Sequence, residues 1–599
     1  MMVNKIAVSS KVFALVLIGV VGLIIYSNSF HVPFVFDDES FIVRNFHIAD
    51  ISNVKEIWRA YIVPTRFISF YTFALNYHFH QFDVVGYHVV NVAIHLINAG
   101  LVYHLGLLLF ATPALSTDAR RRRKHLIALA AAMIFLCHPL QTQAVIYISQ
   151  RFASLATLFY LGSVCLYLKA RLEGNDQSRR RVFAIGSFVT GLLGMFTKEI
   201  VFTLPFAILL IEGCFFHHHV ENIRKYLLKY AIFFAAGFVS LLIIPALFSF
   251  NFQRIFFSET LSGSHEGEML SPLTYCLTQP RAILTYVKLL FVPLGQNLDY
   301  DFPASRSLAE PSTLLSWLTL MIIVVLACKL FARHRLLAFG IFWFFLTLLV
   351  ESSIVLIPNV IFEHRVYLPM VGFSFFLVGG LDELLKEERR FTAVTVGIVI
   401  VLSGLTWQRN KIWQSSLSLW RDVVAKSPLK SRGHENLALA YSEVGQWDQA
   451  ARSLHKALEL NPNNYQTYHN LATIYIHHQQ YDLALKNVQK VIAMHPDYIP
   501  AYNNLGIVLM AQDQLDEAQR VFLQILAWNP FFPEARLNLS RLYQRQGRID
   551  EAIQACKENL KIDPLHVPTI YHLLELYLIS DHQQEALDFS KDLLTKDFN

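Results

Sequence analysis

Five prolines in the C-terminal part of the chain recur at a constant interval of 34 residues, and this period restricts the fold more than any other feature of the sequence. Alanines and leucines recur in the same phase. Proline ends a helix, and small residues let two helices approach closely. The pattern therefore predicts five pairs of helices stacked side by side. The repeated positions are Pro428, Pro462, Pro496, Pro530 and Pro564; Ala450, Ala484, Ala518, Ala552 and Ala586; and Leu437, Leu471, Leu505, Leu539 and Leu573.

A 34-residue period of helix pairs is that of the tetratricopeptide repeat. Four asparagines recur at the same interval on the first helix of the pairs, namely Asn436, Asn470, Asn504 and Asn538. Stacked repeats present a concave binding surface, and we predict that these asparagines line it and hydrogen-bond the backbone of an extended peptide. The alternative is that they only solvate that face.

Hydrophobic residues make up 54% of the chain and charged residues 16%, whereas soluble domains carry about 25% charged residues. The apolar excess lies in long runs within residues 1–426, while 427–599 is polar. One soluble core is therefore excluded. We predict an all-α protein with a polytopic membrane domain at 1–426 and a repeat solenoid at 427–599.

Short basic clusters flank the apolar segments and fall on one side of the membrane throughout if the N-terminus is cytoplasmic. With every basic cluster on the cytoplasmic side, the chain is predicted to cross the membrane eleven times and to place the repeat domain outside the cytoplasm. The segment 275–293 is then predicted to be re-entrant or interfacial. We therefore predict that the basic residues lie at the membrane surface, with membrane lipids as partners, and that they do not bind nucleic acid. Six scattered cysteines without a CxxC pair indicate neither a disulfide framework nor a cysteine metal site. The predicted spans are about 12–26, 84–111, 126–139, 152–169, 182–197, 200–216, 230–250, 314–330, 336–352, 366–383 and 391–407.

Three adjacent carboxylates, Asp37, Asp38 and Glu39, follow the first span on the outer side. Repulsion between them and partial desolvation raise the pKa of at least one carboxyl group toward that of a general base. The alternative is a solvated acidic loop. We predict that Asp37 and Asp38 are the catalytic pair.

Cations lie at the outer ends of other spans, where charge at membrane depth is costly and an anionic headgroup would offset it. A polyprenyl-phosphate sugar suits both features, because its phosphate is the leaving group and its sugar faces the carboxylates. For the individual cations, among them Arg66, Lys198 and Arg365, the alternative is a long side chain that reaches from a helix end to the interface. The predicted phosphate-binding residues are Arg66, Arg151, Lys198, Arg281, His364 and Arg365, with Glu39, His88, His138, Glu199 and Glu363 in supporting positions.

A series of short motifs runs along the chain in a specific order. The motifs are Phe36-Asp37-Asp38, Asn76-Tyr77, Tyr87-His88-Val89-Val90-Asn91-Val92 with His95, His138-Pro139, Gln150-Arg151, Thr197-Lys198-Glu199, Gln279-Pro280-Arg281, Asp299-Tyr300-Asp301 and Glu363-His364-Arg365-Val366-Tyr367-Leu368-Pro369. In this order they resemble the transmembrane and tetratricopeptide-repeat-containing O-mannosyltransferases and their bacterial relatives, which belong to the GT-C superfamily of glycosyltransferases. The resemblance covers nearly the whole chain.

The resemblance implies a lipid-phosphate mannose donor, an inverting transfer to a Ser or Thr hydroxyl, and repeats that recruit the acceptor protein. It favours Asp37 as the base, because Phe41 stands four residues later, as an aromatic residue does in GT-C enzymes. No cofactor is expected, although a divalent metal at Asp37 and Asp38 would suit a pyrophosphate donor. The Glu363-His364-Arg365 motif has the bacterial form, which implies an inner membrane with a periplasmic active site, or the lumen of the ER in a eukaryote.

Two positions depart from the family's pattern. Gln143 stands where relatives often have Glu, and Phe67 follows Arg66 where they often have Pro. Gln143 cannot exchange a proton, so an acid or base role there is not expected. Two other functions remain open, a non-catalytic membrane scaffold for protein assembly and a lipid or sugar transporter. A scaffold would not need the acidic loop, and a transporter would place ionisable residues near the bilayer midplane.

Overall fold

The structure is a computed structural model, and it describes residues 2–60, 66–116, 123–216, 261–262, 269–353, 357, 359–564, 566–580 and 583–595. Internal contacts divide the chain into a first unit, Met1–Pro428, and a repeat unit, Leu429–Asn599. Both units are built of helices, which confirms the predicted all-α class. The described residues of the first unit also include a two-residue antiparallel pair, Leu261–Ser262 with Met269–Leu270.

Sixteen described α-helices form the first unit. They are α1 (Met2–Tyr26), α2 (Val54–Ala60), α3 (Phe67–His80), α4 (Val84–Leu109), α5 (Pro113–Ser116), α6 (Lys124–Cys137), α7 (Thr142–Val145), α8 (Arg151–Leu172), α9 (Gln177–Met195), α10 (Leu204–Phe215), α11 (Pro272–Phe291), α12 (Pro311–Leu330), α13 (Arg335–Leu348), α14 (Pro369–Leu384), α15 (Glu388–Ile412) and α16 (Ser416–Lys426).

Four described helices are long and apolar enough to cross a bilayer. They are α4, α8 together with the turn that precedes it from Ile148, α12, and α15. The bent pair of α6 with Pro139–Val145 passes the same test. The outer faces of α1, α9, α12 and α15 expose many large apolar side chains, an arrangement compatible with lipid and unusual for a surface in water. The eleven crossings stay a prediction. The predicted span 230–250 and residues 120–122 of the basic cluster 120–124 lie outside the described residues.

The predicted span 126–139 ends two residues early because the chain turns at His138. The His138 ring caps the next turn, since its Nδ1 accepts the N–H of Leu140 at 3.3 Å. Pro139 has no N–H with which to continue the ladder of α6. The chain bends by 54° here and continues as the connecting segment, residues 139–150, which is made of short helical turns before α8.

Most of the segment predicted to be re-entrant or interfacial, 275–293, lies in α11, a continuous helix that passes through Pro280 and ends at Phe291. Its N-terminus is well satisfied, since the side chains of Ser271 and Thr274 form a capping box. Its re-entrant or interfacial placement in a membrane stays a prediction.

The described residues of the repeat unit form five helix pairs. In chain order they are α17 (Ser431–Glu443) with α18 (Trp447–Leu460), α19 (Tyr465–His477) with α20 (Tyr481–Met494), α21 (Ile499–Ala511) with α22 (Leu515–Trp528), α23 (Pro533–Arg545) with α24 (Ile549–Ile562), and α25 (Val567–Ile579) with α26 (Gln583–Thr595). The repeated alanines Ala450, Ala484, Ala518 and Ala552 are fully buried, which lets the two helices of a pair approach closely.

Candidate active site

The acidic motif lies in a tight turn after α1. Phe36 adopts a positive φ of 52°, and the turn sends the two carboxylates into different environments. Asp38 is fully buried; its Oδ2 accepts the N–H of Val35 at 3.1 Å and its Oδ1 accepts the N–H of Ser149 at 2.7 Å. Asp38 therefore links the turn to the connecting segment, and both of its carboxylate oxygens have a structural role.

Asp37 is only partly buried and lies beside Tyr147 of the connecting segment. The backbone N–H of Asp37 donates to the Tyr147 hydroxyl at 2.9 Å. Burial raises the pKa of Tyr147 well above its ordinary value, and the carboxylates of Asp37 and Asp38 raise it further. The phenol therefore stays protonated beside Asp37. Of the two acidic residues, Asp37 is the one whose position suits a base that meets a substrate.

Glu39, predicted in a supporting position, lies at the surface. Its Oε1 forms an ion pair with Nε of Arg44 at 2.9 Å, with both side chains largely exposed. An exposed pair of this kind contributes little to stability.

Burial raises the pKa of Asp38 from 3.8 to about 7, against the opposing effect of its two backbone hydrogen bonds. A carboxyl whose folded pKa is raised stabilises the fold below its unfolded pKa, and this stabilisation is lost as pH rises through the folded pKa. We therefore expect the melting temperature in detergent to fall between pH 4 and about pH 7, with Asp38 accounting for up to about 4 kcal/mol.

The measurement is a pair of melting curves over that pH range for the wild type and Asp38→Asn. The amide does not titrate, so the variant should show a flatter profile, even if it is less stable at every pH because it has one acceptor oxygen instead of two. Parallel profiles would contradict this account of Asp38.

Arg151, at the start of α8, is fully buried and holds α3 and α4 together. Its Nη1 donates to Asn76 Oδ1 and its Nε to Asn91 Oδ1, both at 2.6 Å, and its Nη2 donates to the Tyr87 carbonyl at 3.1 Å. The guanidinium also lies 4.6 Å from the centre of the Phe73 ring. Phosphate binding by Arg151 stays a prediction, but the geometry favours a structural role, with the Asn76 and Asn91 motif residues as its acceptors.

Two predicted supporting histidines bond to the backbone of other elements. His88 Nε2 donates to the Val32 carbonyl at 2.9 Å, so it holds the start of the acidic turn. His138 Nε2 donates to the Leu290 carbonyl of α11 at 3.0 Å, while its Nδ1 caps the turn at Leu140. These partners require the Nε2–H tautomer in both rings. Both residues position the turns around the site.

Three cations act electrostatically on His364, which lies in the short helical turn Glu363–Val366. Burial lowers the pKa of His364 well below its ordinary value, and the charges of Lys198, Arg365 and Arg66 lower it further. The imidazole is therefore neutral, and all three cations lie near enough to act on it. Positive charge from distant motifs therefore acts on one buried ring, which is an electrostatic setting that favours an anion. We call Arg66, Lys198 and His364 the cation pocket.

Carboxylates partly balance the cation pocket. Lys198 Nζ lies 2.7 Å from Glu351 Oε1, and both side chains are nearly buried. Arg66 Nε lies 3.5 Å from Glu199 Oε1, in a more exposed pair. The predicted supporting position of Glu199 thus corresponds to a counter-charge for Arg66. Sequence reasoning missed Glu351, although a carboxylate at the outer end of the predicted span 336–352 was a usable signal.

The Arg365 guanidinium is buried among protein acceptors. Its Nη1 donates to the Val360 carbonyl at 2.9 Å, to the Tyr275 hydroxyl at 3.2 Å and to the Glu351 carbonyl at 3.3 Å. Its Nη2 donates to the Asn359 carbonyl at 2.6 Å. This residue fixes the loop beside the pocket and adds positive potential to it. Direct binding of phosphate by Arg365 stays a prediction.

Glu363 and Arg281 serve other contacts. Glu363 Oε1 accepts the Asn297 N–H and the Tyr300 hydroxyl, each at 2.6 Å, and burial raises its pKa. It therefore holds the loop that contains the Asp299-Tyr300-Asp301 motif. Arg281 Nη1 donates to the Pro303 carbonyl at 3.0 Å, on the partly exposed side of α11. Neither residue is among those that act on His364.

The repeated asparagines lie along the adjoining first helices of the repeats. Asn504 Nδ2 donates to Thr473 Oγ1 of the preceding repeat at 3.1 Å, and Asn538 Nδ2 donates to Asn503 Oδ1 at 2.9 Å. Asn436 bonds within its own helix, to the Arg432 carbonyl at 2.8 Å. Asn470 is half-buried. Two of the four asparagines therefore join neighbouring repeats, and acceptor binding by the four stays a prediction.

No group of three or more His, Cys, Asp or Glu side chains within the described residues could hold a metal ion. The predicted absence of a cofactor stays a prediction. Three consecutive histidines of the sequence, at positions 217–219, lie outside the described residues.

Comparison with curated proteins identifies the relatives. A protein O-mannosyl-transferase of Caenorhabditis elegans is 24% identical over 74% of this chain, and Protein O-mannosyl-transferase TMTC4 of Homo sapiens is 24% identical over 74%. The chain is similar to curated protein O-mannosyl-transferases. This confirms the resemblance predicted from the motif order. Protein O-mannosyl-transferase Tmtc3 of Drosophila melanogaster is 23% identical over 75% of the chain. The chain spans 62%, 65% and 55% of the lengths of these three relatives.

The family model of the tetratricopeptide repeat matches the chain at residues 442–506, 477–533 and 509–577, which confirms the predicted repeats. Solved structures that match include MamA, at 23% identity and a TM-score of 0.22 over 25% of this chain and 86% of that one. Another is a thermophilic TPR protein of Thermus thermophilus, at 21% identity and a TM-score of 0.26 over 31% of this chain and 96% of that one.

Proposed function

We propose that the chain is a membrane protein O-mannosyltransferase that moves mannose from a polyprenyl-phosphate donor to a Ser or Thr hydroxyl of an acceptor protein. The observation that carries this proposal is the connecting segment, because it holds both halves of the site. Tyr147 of this segment contacts Asp37, and Gln143 accepts the backbone N–H of His364 at 2.6 Å. A base and an anion pocket on one short segment suit the transfer of a group from a phosphate.

In the proposed reaction, Asp37 removes the proton from the acceptor hydroxyl as its oxygen attacks the anomeric carbon of mannose. The bond from that carbon to the phosphate oxygen breaks, and polyprenyl phosphate leaves from the opposite face, so the configuration inverts. Arg66 and Lys198 stabilise the negative charge on the departing phosphate. Arg365 and Arg151 position the surrounding loops. The protonated Tyr147 and the buried Asp38 hold the acidic turn in place.

The basic clusters on one side of the predicted spans support an extracytoplasmic site, in the periplasm for a bacterial inner membrane protein. The repeats then recruit the acceptor protein on that side. The names of the relatives support mannose as the sugar.

The decisive experiment incubates the purified full chain with polyprenyl-phosphate mannose and a Ser- and Thr-containing acceptor protein. We expect a mass increase of one hexose per modified site, released by β-elimination. Pyrophosphate-linked mannose serves as the donor control and should be inactive. A chain that binds proteins but transfers no sugar would instead be the scaffold considered above.

Recruitment by the repeats predicts a difference between acceptors. We expect the double variant Asn436→Ala and Asn470→Ala to lower modification of a protein acceptor by about 30-fold, because each of the two lost hydrogen bonds contributes roughly 1 kcal/mol. Transfer to a short peptide that does not need the repeats should change little. The matched control is Asn487→Ala on α20, whose Nδ2 bonds within its own helix. Equal losses for both acceptors would show that these asparagines have only a structural role.

A further inference from the structure

Phe36, the residue before Asp37, has a backbone conformation that a bulky side chain rarely adopts. Its φ of 52° lies in the left-handed region, where the Cβ atom of an L-residue crowds a neighbouring carbonyl oxygen. Residues in such conformations persist only where the surrounding structure holds them, and they cluster at functional sites. The conformation of Phe36 therefore helps to set the position of the proposed base.

The hydrogen bonds of Asp38 fix the turn on either side of Phe36 and Asp37. The Asp38 carboxylate accepts the N–H of Val35 at 3.1 Å and the N–H of Ser149 at 2.7 Å. Between these two anchors, the Asp37 N–H donates to the Tyr147 hydroxyl at 2.9 Å. A rotation of the backbone at Phe36 would move Asp37 away from this hydroxyl, so whatever holds Phe36 also holds the base.

Aromatic rings pack in series beside Asp37. The Phe36 ring lies edge to face with the Trp420 ring, with 5.6 Å between their centres, and its centre lies 6.5 Å from that of Tyr147. The Tyr147 ring in turn lies 5.9 Å from that of Trp413. Phe36 is partly buried, and the other three are buried. Aromatic pairs in these geometries are favourable beyond the area that they bury, so Trp420 and Tyr147 hold the Phe36 ring.

Trp420 belongs to α16, and polar contacts fix this helix to other parts of the first unit. Asp422 Oδ2 accepts a hydrogen bond from Nη1 of Arg409, in α15, at 2.7 Å. At the end of α16, Lys426 Nζ donates to the Gln296 carbonyl at 2.6 Å. Trp420 is therefore carried by a helix that is itself held in place.

We propose that Trp420 is a positioning residue for the transfer. It holds the Phe36 ring, and through the turn at Phe36 it keeps the Asp37 carboxylate where it meets the acceptor hydroxyl. This inference rests on the proposed function and adds a residue that acts through the base. Because Trp420 is 3% exposed and acts through Phe36, its loss slows the reaction and leaves donor affinity unchanged.

The test compares Trp420→Leu with Trp420→Phe in the purified full chain. Leucine has no ring for the edge contact with Phe36, whereas phenylalanine keeps one. Single-turnover transfer from polyprenyl-phosphate mannose to a short peptide, donor binding and melting temperature are measured for both variants. We expect Trp420→Leu to lower the rate per folded protein by about 10- to 100-fold, because a small displacement of a reacting group causes a loss of this size. Donor affinity should stay within about a factor of three, and Trp420→Phe should keep most of the rate.

The sharpest comparison repeats Trp420→Leu in the Asp37→Asn background. Residues that act as a unit have non-additive effects. If Trp420 works through Asp37, the double variant should be no more than about threefold slower than Asp37→Asn alone. A Trp420 that only stabilises the fold would lower the rate by the same factor in both backgrounds.

Phe36→Leu removes the same ring contact from its partly exposed side, and it is the second variant if Trp420→Leu folds poorly. It should show the same loss of rate and the same lack of additivity with Asp37→Asn. The matched control is Trp447→Leu in α18, whose ring stacks on that of His477 at 4.0 Å. This control should lose stability but transfer mannose to the short peptide at the wild-type rate per folded protein.

A wild-type rate in both Trp420→Leu and Phe36→Leu would overturn the inference, as would equal losses in the wild-type and Asp37→Asn backgrounds. A wild-type chain that transfers no mannose would overturn the proposed function, and this inference with it.

Discussion

Replacing Asp37 by Asn should lower the rate of mannose transfer by about 10²- to 10⁴-fold, which is the usual contribution of a general base. Asp37 is the partly buried member of the acidic pair. Hydrogen bonds of Tyr147 and Asp38 hold its turn against the connecting segment. The amide has nearly the same shape as the carboxylate but cannot take a proton. Donor affinity should therefore remain within about a factor of three, since general-base catalysis acts on the reaction rather than on donor binding.

The measurement combines single-turnover rates with donor binding for Asp37→Asn. Asp38→Asn is the matched control, because that residue uses both oxygens to hold the backbone at Val35 and Ser149. Its main effect should be on melting temperature, with transfer reduced in proportion to the folded fraction. An active Asp37→Asn together with an inactive but folded Asp38→Asn would assign the base to Asp38.

The cation pocket predicts opposite effects for two neighbouring residues. Glu351 Oε1 forms an ion pair with Lys198 Nζ at 2.7 Å, so a phosphate must compete with this carboxylate for the ammonium group. We expect Glu351→Gln to tighten binding of polyprenyl phosphate. The double variant Lys198→Met and Glu351→Gln should weaken it by roughly 10- to 100-fold, because a charge-assisted contact is lost. The double variant is preferred to Lys198→Met alone, which would leave Glu351 buried without its partner.

Arg365 is the control for this pair of measurements. Arg365→Ala would remove its hydrogen bonds to three backbone carbonyls and the Tyr275 hydroxyl, so we expect a loss of at least about 3 kcal/mol of stability. Melting temperature should fall more than the donor affinity of the protein that remains folded. A stable Arg365→Ala that no longer binds donor would show that this guanidinium contacts the phosphate directly.

Several features of the site could be predicted because the sequence places distinctive residues next to each other. The acidic turn is visible as Phe36-Asp37-Asp38, and the residues of the cation pocket stand in short polar motifs between apolar segments. What those motifs do could not be predicted in the same way. Arg151 and His364 were both predicted to bind phosphate. In the structure, however, the Arg151 guanidinium donates to carbonyl and amide oxygens of α3 and α4. Those acceptors lie 60 to 75 positions away from Arg151 in the chain.

The amino-acid sequence by itself determined the repeats, since a period of 34 residues with proline, alanine and leucine in one phase is satisfied by stacked helix pairs alone. It also determined that the first unit is apolar and helical, because its long hydrophobic runs can satisfy their backbone groups within each helix. Only the tertiary structure decided which polar side chains form their hydrogen bonds within the protein and which keep donors for a ligand. Asp38 and Arg365 are surrounded by protein partners, whereas Arg66 lies 3.5 Å from Glu199 in a more exposed ion pair. That distinction depends on contacts between segments far apart in the chain, such as Asp38 with Ser149. No local pattern encodes the distance between them.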